Sequence, residues 1–101
     1  MKKEQDHFAV LRIIQRKPGF SQRKLAGVLG FSLGKLNYCL KVLQDEGLVK
    51  IRSFQKKQNQ FSNMNYVLTS KGTSEKNRLT TNFMKRKMEE YDELKTELKM
   101  D

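Results

Sequence analysis

The residues best suited to chemistry are Ser32, Gly34, Lys35, Asn37, Tyr38 and Lys41, crowded within residues 32–41. Their chemistry is recognition rather than bond-making. An asparagine amide can pair with the donor and acceptor edge of adenine, and a lysine can reach guanine or a phosphate. Backbone N–H groups at Ser32 and Gly34, where a helix would start, suit a phosphate oxygen. Little else in the chain suggests catalysis. His7 is the only histidine and Cys39 the only cysteine, and neither has companions at metal-ligand spacing. No acid–base groups converge and no glycine-rich phosphate loop is present, so neither an enzyme nor a cofactor or metal site is expected. Cys39 reads as a small buried apolar group.

These side chains need a helix anchored on its other face. Over 32–46, Leu36, Cys39, Leu40 and Leu43 recur at i, i+3, i+4 and i+7 and supply that face. A shorter helix over 21–29 precedes it, with Leu25, Val28 and Leu29 as its apolar side. Ser21 and Ser32 stand as N-caps. Phe20 and Phe31 precede them, placed to pack forward on Leu25 and Leu36 as hydrophobic staples. Gly30 allows the chain to reverse between the helices, and Gly47 can close the second in a left-handed turn. The pattern is a helix-turn-helix. Gln22, Arg23 and Lys24 would then lie beside the flanking nucleic-acid backbone.

The elements on either side complete a domain. Asp6 is expected to cap a first helix that runs to about Lys17, with Phe8, Val10, Leu11, Ile13 and Ile14 on its buried face. Pro18-Gly19 ends it. After Gly47 the periodicity changes to alternation, with a strand over 48–54 and a second over 65–69. Val49 and Ile51 share one face of the first strand, Tyr66 and Leu68 one face of the second. The polar, acid-free loop between them makes a wing over 53–64. Arg52, Lys56 and Lys57 would supply salt-dependent contacts there rather than sequence choice.

From Ser70 a helix is expected to run to near Lys99, spanning about 42 Å, too long for so small a body to cover. Its apolar residues Met84, Tyr91, Leu94 and Leu98 fit one heptad seam, widened by Phe83 and Met88 and interrupted by Lys87 and Thr80. These six apolar residues are the expected dimerisation surface of a homodimer. Basic Lys85-Arg86-Lys87 precedes Glu89, Glu90, Asp92, Glu93 and Glu97, an order that opposes the helix dipole. An antiparallel partner would relieve it, though the sequence alone leaves parallel pairing open.

Totals agree with this organisation. Of the 101 residues only 37% are hydrophobic, so the core must be small and oligomerisation a natural supplement. The net charge is +10. Residues 1–69 hold 13 Lys and Arg against 4 acids, whereas residues 70–101 hold 8 against 7, so the positive charge gathers around the two-helix motif. Such a surface attracts polyanions. No apolar run approaches membrane-spanning length, no secretory signal is recognisable, and a single cysteine suits a reducing compartment. A cytoplasmic protein without membrane contact is expected. Two regions follow: a winged helix-turn-helix over 1–69 and a dimerisation helix over 70–101, in a mainly α fold with a minor β component.

Leu43-Gln-Asp-Glu-Gly-Leu-Val49 and Tyr66-Val-Leu-Thr-Ser-Lys-Gly72 resemble the recognition-helix end and the wing-to-helix passage of MarR-type winged-helix regulators. With Phe83-Met-Lys-Arg-Lys-Met-Glu-Glu-Tyr91, the whole chain is similar to the short MarR-family regulators associated with exopolysaccharide gene clusters in bacteria. The resemblance implies a dimeric bacterial transcription factor bound to double-stranded DNA. Two departures stand out. The Asp-x-Arg wing signature of larger relatives is replaced by Lys56-Lys-Gln, and the usual N-terminal dimerisation extension is missing, which moves dimerisation to the C-terminal helix. Whether a small-molecule effector acts is left open.

The competing function is a winged-helix adaptor whose basic face docks an acidic protein partner. It would tolerate loss of Asn37 and Lys41, whereas a DNA reader would not. Single-stranded RNA is a weaker fit, since the exposed aromatic platform it favours is lacking.

Overall fold

The structure, a computed structural model, describes residues 2–52 and 65–100. Along the chain run α1 (Lys2–Arg16), α2 (Gln22–Leu29), α3 (Leu33–Asp45), β1 (Val49–Arg52), β2 (Asn65–Leu68) and α4 (Ser70–Leu98). Val10, Leu11, Ile13 and Ile14 of α1 enter a core shared with Leu25, Leu36, Leu40, Leu43, Val49, Tyr66 and Leu79. Removing a leucine such as Leu36, fully buried here, to alanine costs about 2–5 kcal/mol in comparable cores. Asp6 does not cap α1. The helix is already formed at Lys2, and Asp6 instead sits mid-helix with its carboxylate 3.2 Å from Lys35 Nζ on α3.

Both expected caps of the central pair are formed. The Ser21 hydroxyl accepts from Lys24 N–H at 3.2 Å, and the Ser32 hydroxyl from Lys35 N–H at 3.0 Å. Gly30 takes φ 72°, ψ 25°, and its N–H bonds back to the Ala26 and Gly27 carbonyls of α2. A side chain would be strained there, which is why glycine ends this helix. Gly47 does the same after α3 at φ 77°. Phe20 and Phe31 pack half-buried against the core. One apolar assignment differs: Val28 is 58% exposed, and Ala26 is buried beside Leu25 in its place. In a helix of two turns, Leu25 and Leu29 fix a stripe that either neighbour can widen. Packing against the rest of the body selects the smaller residue.

β1 and β2 pair antiparallel, with Val49 opposite Leu68 and Ile51 opposite Tyr66. Those four share one face, as alternation required. Burial falls along β1, from Val49 at 3% to Ile51 at 38% exposed, because the hairpin leaves the body. The wing over 53–64, with Lys56 and Lys57, lies outside the described residues.

α4 is fastened to the end of α3. Thr69 caps it, the hydroxyl accepting from Gly72 N–H at 2.9 Å and donating to the Gly47 carbonyl at 2.6 Å. Thr69 N–H bonds the Leu48 carbonyl at 3.0 Å, and Lys71 Nζ donates to the Glu46 carbonyl at 3.0 Å. Gly72 is buried in this junction. Leu79 then enters the core, and Phe83 meets Phe8 of α1 with ring centroids 5.8 Å apart. Beyond Phe83 every described residue of α4 is exposed. The radius of gyration, 17.0 Å, exceeds the roughly 13 Å of a compact chain this long, because that half of α4 projects from the body. Among the described residues no helix is long and apolar enough to cross a membrane.

Candidate nucleic-acid interface

α3 divides its side chains between two opposite faces. Leu36, Cys39, Leu40 and Leu43 point into the core. At about 100° per residue, Gly34, Asn37, Tyr38 and Lys41 fall within an arc of about 100° on the far side, and all four are exposed. Ser32 is exposed at the start of the helix, although its hydroxyl is engaged as the cap. The convex face therefore carries an amide, a phenol and an ammonium in a row, clear of the body. Leu33, an apolar residue set within that polar cluster, is 40% exposed beside Gly34. Its spacing of three from Leu36 and seven from Leu40 sets it at the edge of the buried stripe, so periodicity alone does not mark it as exposed. An apolar group at such a site can meet a thymine methyl.

Two of the named side chains have duties within the chain. Lys35 lies to the side of the polar row, where its ammonium pairs with Asp6 at 3.2 Å and stands 4.3 Å from the centre of the Phe31 ring. Gln22 is half-buried, its amide donating to the Tyr66 hydroxyl at 3.0 Å and so tying α2 to β2. Arg23 and Lys24 remain on the exposed side of α2, with the Lys24 ammonium 5.4 Å from the centre of the Phe20 ring. Arg52 is exposed at the end of β1, where the wing begins.

The remaining polar candidates do not join this face. Cys39 is buried, and burial, helped by the nearby Asp6 carboxylate and opposed by Lys35, pushes its thiol above its ordinary pKa. The side chain stays protonated at neutral pH, as a core residue should. His7 is half-buried, and among the described residues no group of side chains is placed to hold a metal ion. A cleft of about 470 Å³ opens between α1, α3 and α4, floored by Leu11, Val42, Leu43, Leu48 and Leu79. Its rim carries Glu4, Glu46 and Glu75 beside Lys3 and His7, a charge ill-suited to a polyanion. The polar row of α3 lies apart from this cleft.

Residues 7–50, from α1 into β1, match the winged helix-turn-helix DNA-binding family. Solved structures extend the likeness over more of the chain. MarR of Staphylococcus aureus, in complex with salicylate and kanamycin, superposes with a TM-score of 0.73 at 14% identity over 87% of this chain and 57% of that one. The fold is the MarR-type winged helix. FabT of Streptococcus pneumoniae, in complex with DNA, gives 0.65 at 20% identity over 87% of this chain and 59% of its own. The transcriptional repressor CouR, bound to a 23-mer DNA duplex, gives 0.71 at 24% identity over 86% and 59%. The chain thus spans under two thirds of these MarR-type structures. No curated protein matches at the level of sequence.

Proposed function

We propose that this protein is a sequence-specific transcriptional regulator that binds double-stranded DNA. The observation that carries the reading is the two-faced α3, with leucines holding it to the core while Gly34, Asn37, Tyr38 and Lys41 stand free. An α-helix fits the major groove, where Asn37 would read adenine and Lys41 guanine or phosphate. Arg23 and Lys24 would meet the flanking backbone, Ser32 and Gly34 a phosphate at the helix start, and Arg52, Lys56 and Lys57 the strand beside the wing. Gln22 and Lys35 contribute chiefly by holding α2 and α3 in place. The region over 1–69 acts as the reading head and 70–101 as the dimerisation helix of a homodimer. Such a dimer would address half-sites about 34 Å apart, or a multiple of that.

A MarR-type fold, the excess of basic residues before residue 70 and the DNA-bound FabT and CouR structures support this reading. A cytoplasmic location in a bacterium is part of the same proposal. Exopolysaccharide operons are the first place to seek operators, on the strength of the sequence resemblance alone.

Pull-down of genomic fragments followed by footprinting identifies the operator. Fluorescence anisotropy then compares it with random duplex across a salt series. Tight binding is expected, with log K falling by about 0.9 per log unit of salt for each phosphate neutralised. Asn37→Ala and Lys41→Ala should erase discrimination between operator and random DNA. Equal, weak affinity for both duplexes at low salt, or an adaptor-like indifference to these two substitutions, overturns the proposal.

A further inference from the structure

Past Phe83, α4 carries Met84, Met88, Tyr91, Leu94 and Leu98, each between 57% and 86% exposed. All five lie within an arc of about 120° of the helix at 100° per residue. The body of the chain packs on a neighbouring face, through Gly72, Leu79 and Phe83. The stripe is thus uncovered along about 22 Å of projecting helix, yet it is directed consistently to one side.

We infer that a second copy of this chain covers the stripe in the antiparallel sense, with the two-fold axis crossing α4 near residue 89. This rests on the pairing of two chains through α4 and on nothing about DNA. Charge decides the direction. In a parallel pair Lys85-Arg86-Lys87 would lie level with its own copy, and Glu89, Glu90, Asp92 and Glu93 with theirs. Lys87, which occupies a seam position, would meet Lys87 of the partner subunit inside the interface, at a cost that neither copy could relieve.

Reversing one helix removes that conflict. Heptad seam positions must still oppose seam positions, so an a residue faces a d residue of the reversed helix. Met84 then lies level with Leu94 of the partner subunit, and Lys87 with Tyr91 of the partner subunit. Lys85 comes level with Glu93 of the partner subunit, and Arg86 with Asp92 of the partner subunit. The Lys87 ammonium, already 3.5 Å from Glu90 of its own chain, can lay its aliphatic stem along the tyrosine ring and keep its charge at the edge. Thr80, the other irregular seam residue, faces Leu98 of the partner subunit at the end of the pair. There a half-buried threonine, its hydroxyl already donating to the Lys76 carbonyl at 2.8 Å, presents mainly its methyl group. Both breaks in the seam are thereby placed where they do little harm.

Cysteine linkage in the full-length double variant Met84→Cys/Leu94→Cys tests the direction. Both sites are exposed, so the fold should survive, as circular dichroism can confirm. Within one helix the two are about 15 Å apart and cannot bond. After mild oxidation, trypsin releases residue 84 in peptide 79–85 and residue 94 in peptide 88–95, while native Cys39 lies in a separate peptide. The expected product is the mixed disulfide between peptides 79–85 and 88–95. Symmetric 84–84 and 94–94 disulfides would overturn the antiparallel register. The single variant Leu98→Cys should not link to itself, its two copies being about 27 Å apart along the axis; a self-linked dimer would likewise overturn it. Sedimentation equilibrium of the native chain supplies the remaining arm. A monomer at micromolar concentration removes both this register and the dimer it rests on, whereas symmetric linkage removes the register alone and leaves the DNA reading standing.

Discussion

Gly72, in the first turn of α4, lies so close to Leu48 that a β-carbon at 72 would fall on the Leu48 carbonyl oxygen and 2.9 Å from its carbon. The obstacle is backbone on both sides, and the Leu48 carbonyl is held by Thr69 N–H. Neither can move aside cheaply.

Gly72→Ala is therefore expected to destabilise the chain by about 2–3 kcal/mol, although alanine favours helices more than glycine does. In a domain of this size that corresponds to a fall in Tm on the order of 10 °C. Thermal denaturation followed by circular dichroism reads it, with Ser74→Ala, exposed on the same helix, as the control. A Gly72→Ala protein as stable as the control would mean that the junction is looser than described.

The bond between Gln22 and Tyr66 should show as an energetic coupling. Gln22→Leu and Tyr66→Phe each remove one partner of a half-buried hydrogen bond, and together they remove both. A double-mutant cycle by urea denaturation is expected to give a coupling of about 1 kcal/mol. Strict additivity would show that the contact contributes nothing.

Lys35 and Lys41 are both basic residues of α3, and their surroundings separate them. Lys41→Ala should weaken operator binding and lower the salt slope by about 1. Lys35→Ala should weaken binding less, because its ammonium is paired with Asp6 at the side of the helix; loss of that exposed pair changes stability by about 0–1 kcal/mol. Anisotropy titrations at several salt concentrations separate the two. An equal effect would put Lys35 on the DNA.

Much of this layout could be read from spacing, and the failures share a cause. The serine caps, Gly30, Gly47 and the leucine stripe of α3 act within a turn or two of themselves, so local sequence reveals them. Asp6 looked like a cap because an acid preceded an apolar run, yet its partner Lys35 belongs to another helix. The need for glycine at 72 is invisible in local sequence, since the backbone that excludes a side chain belongs to Leu48. Whether Val28 or Ala26 widens the stripe of α2 depends on the helices packed against it. Gln22 looked like a surface polar residue because its partner, Tyr66, lies on β2. Each misreading concerned a contact between distant segments, which periodicity does not encode.

The Cys39 thiol sets a pH limit. Its pKa is raised in the folded chain, by burial first and by Asp6 second, so the folded state holds the proton more tightly than the unfolded state does. That part of the stability is fully present below the ordinary thiol value of 9.0 and is lost as pH rises above it. Urea denaturation between pH 7 and 10 should show a decline that Cys39→Ala, though less stable throughout, partly lacks. Alkylation by iodoacetamide should be slower in the folded chain than in the denatured chain by about 100-fold or more. Similar slopes in the two proteins would count against a protonated, enclosed thiol.

The fastening of Thr69, Lys71 and Gly72 to residues 46–48 gives α4 the mechanics of a lever. Its fulcrum runs from the end of α3 to Leu79 and Phe83, and the arm that projects beyond is about 22 Å long. A tilt of about 5° carries the far tip by about 2 Å, and in a symmetric pair the two bodies would swing together. Their separation on a duplex would then be a gauge of the angle at Leu48, so a substitution buried at that joint could retune which operator spacing is accepted without touching a base.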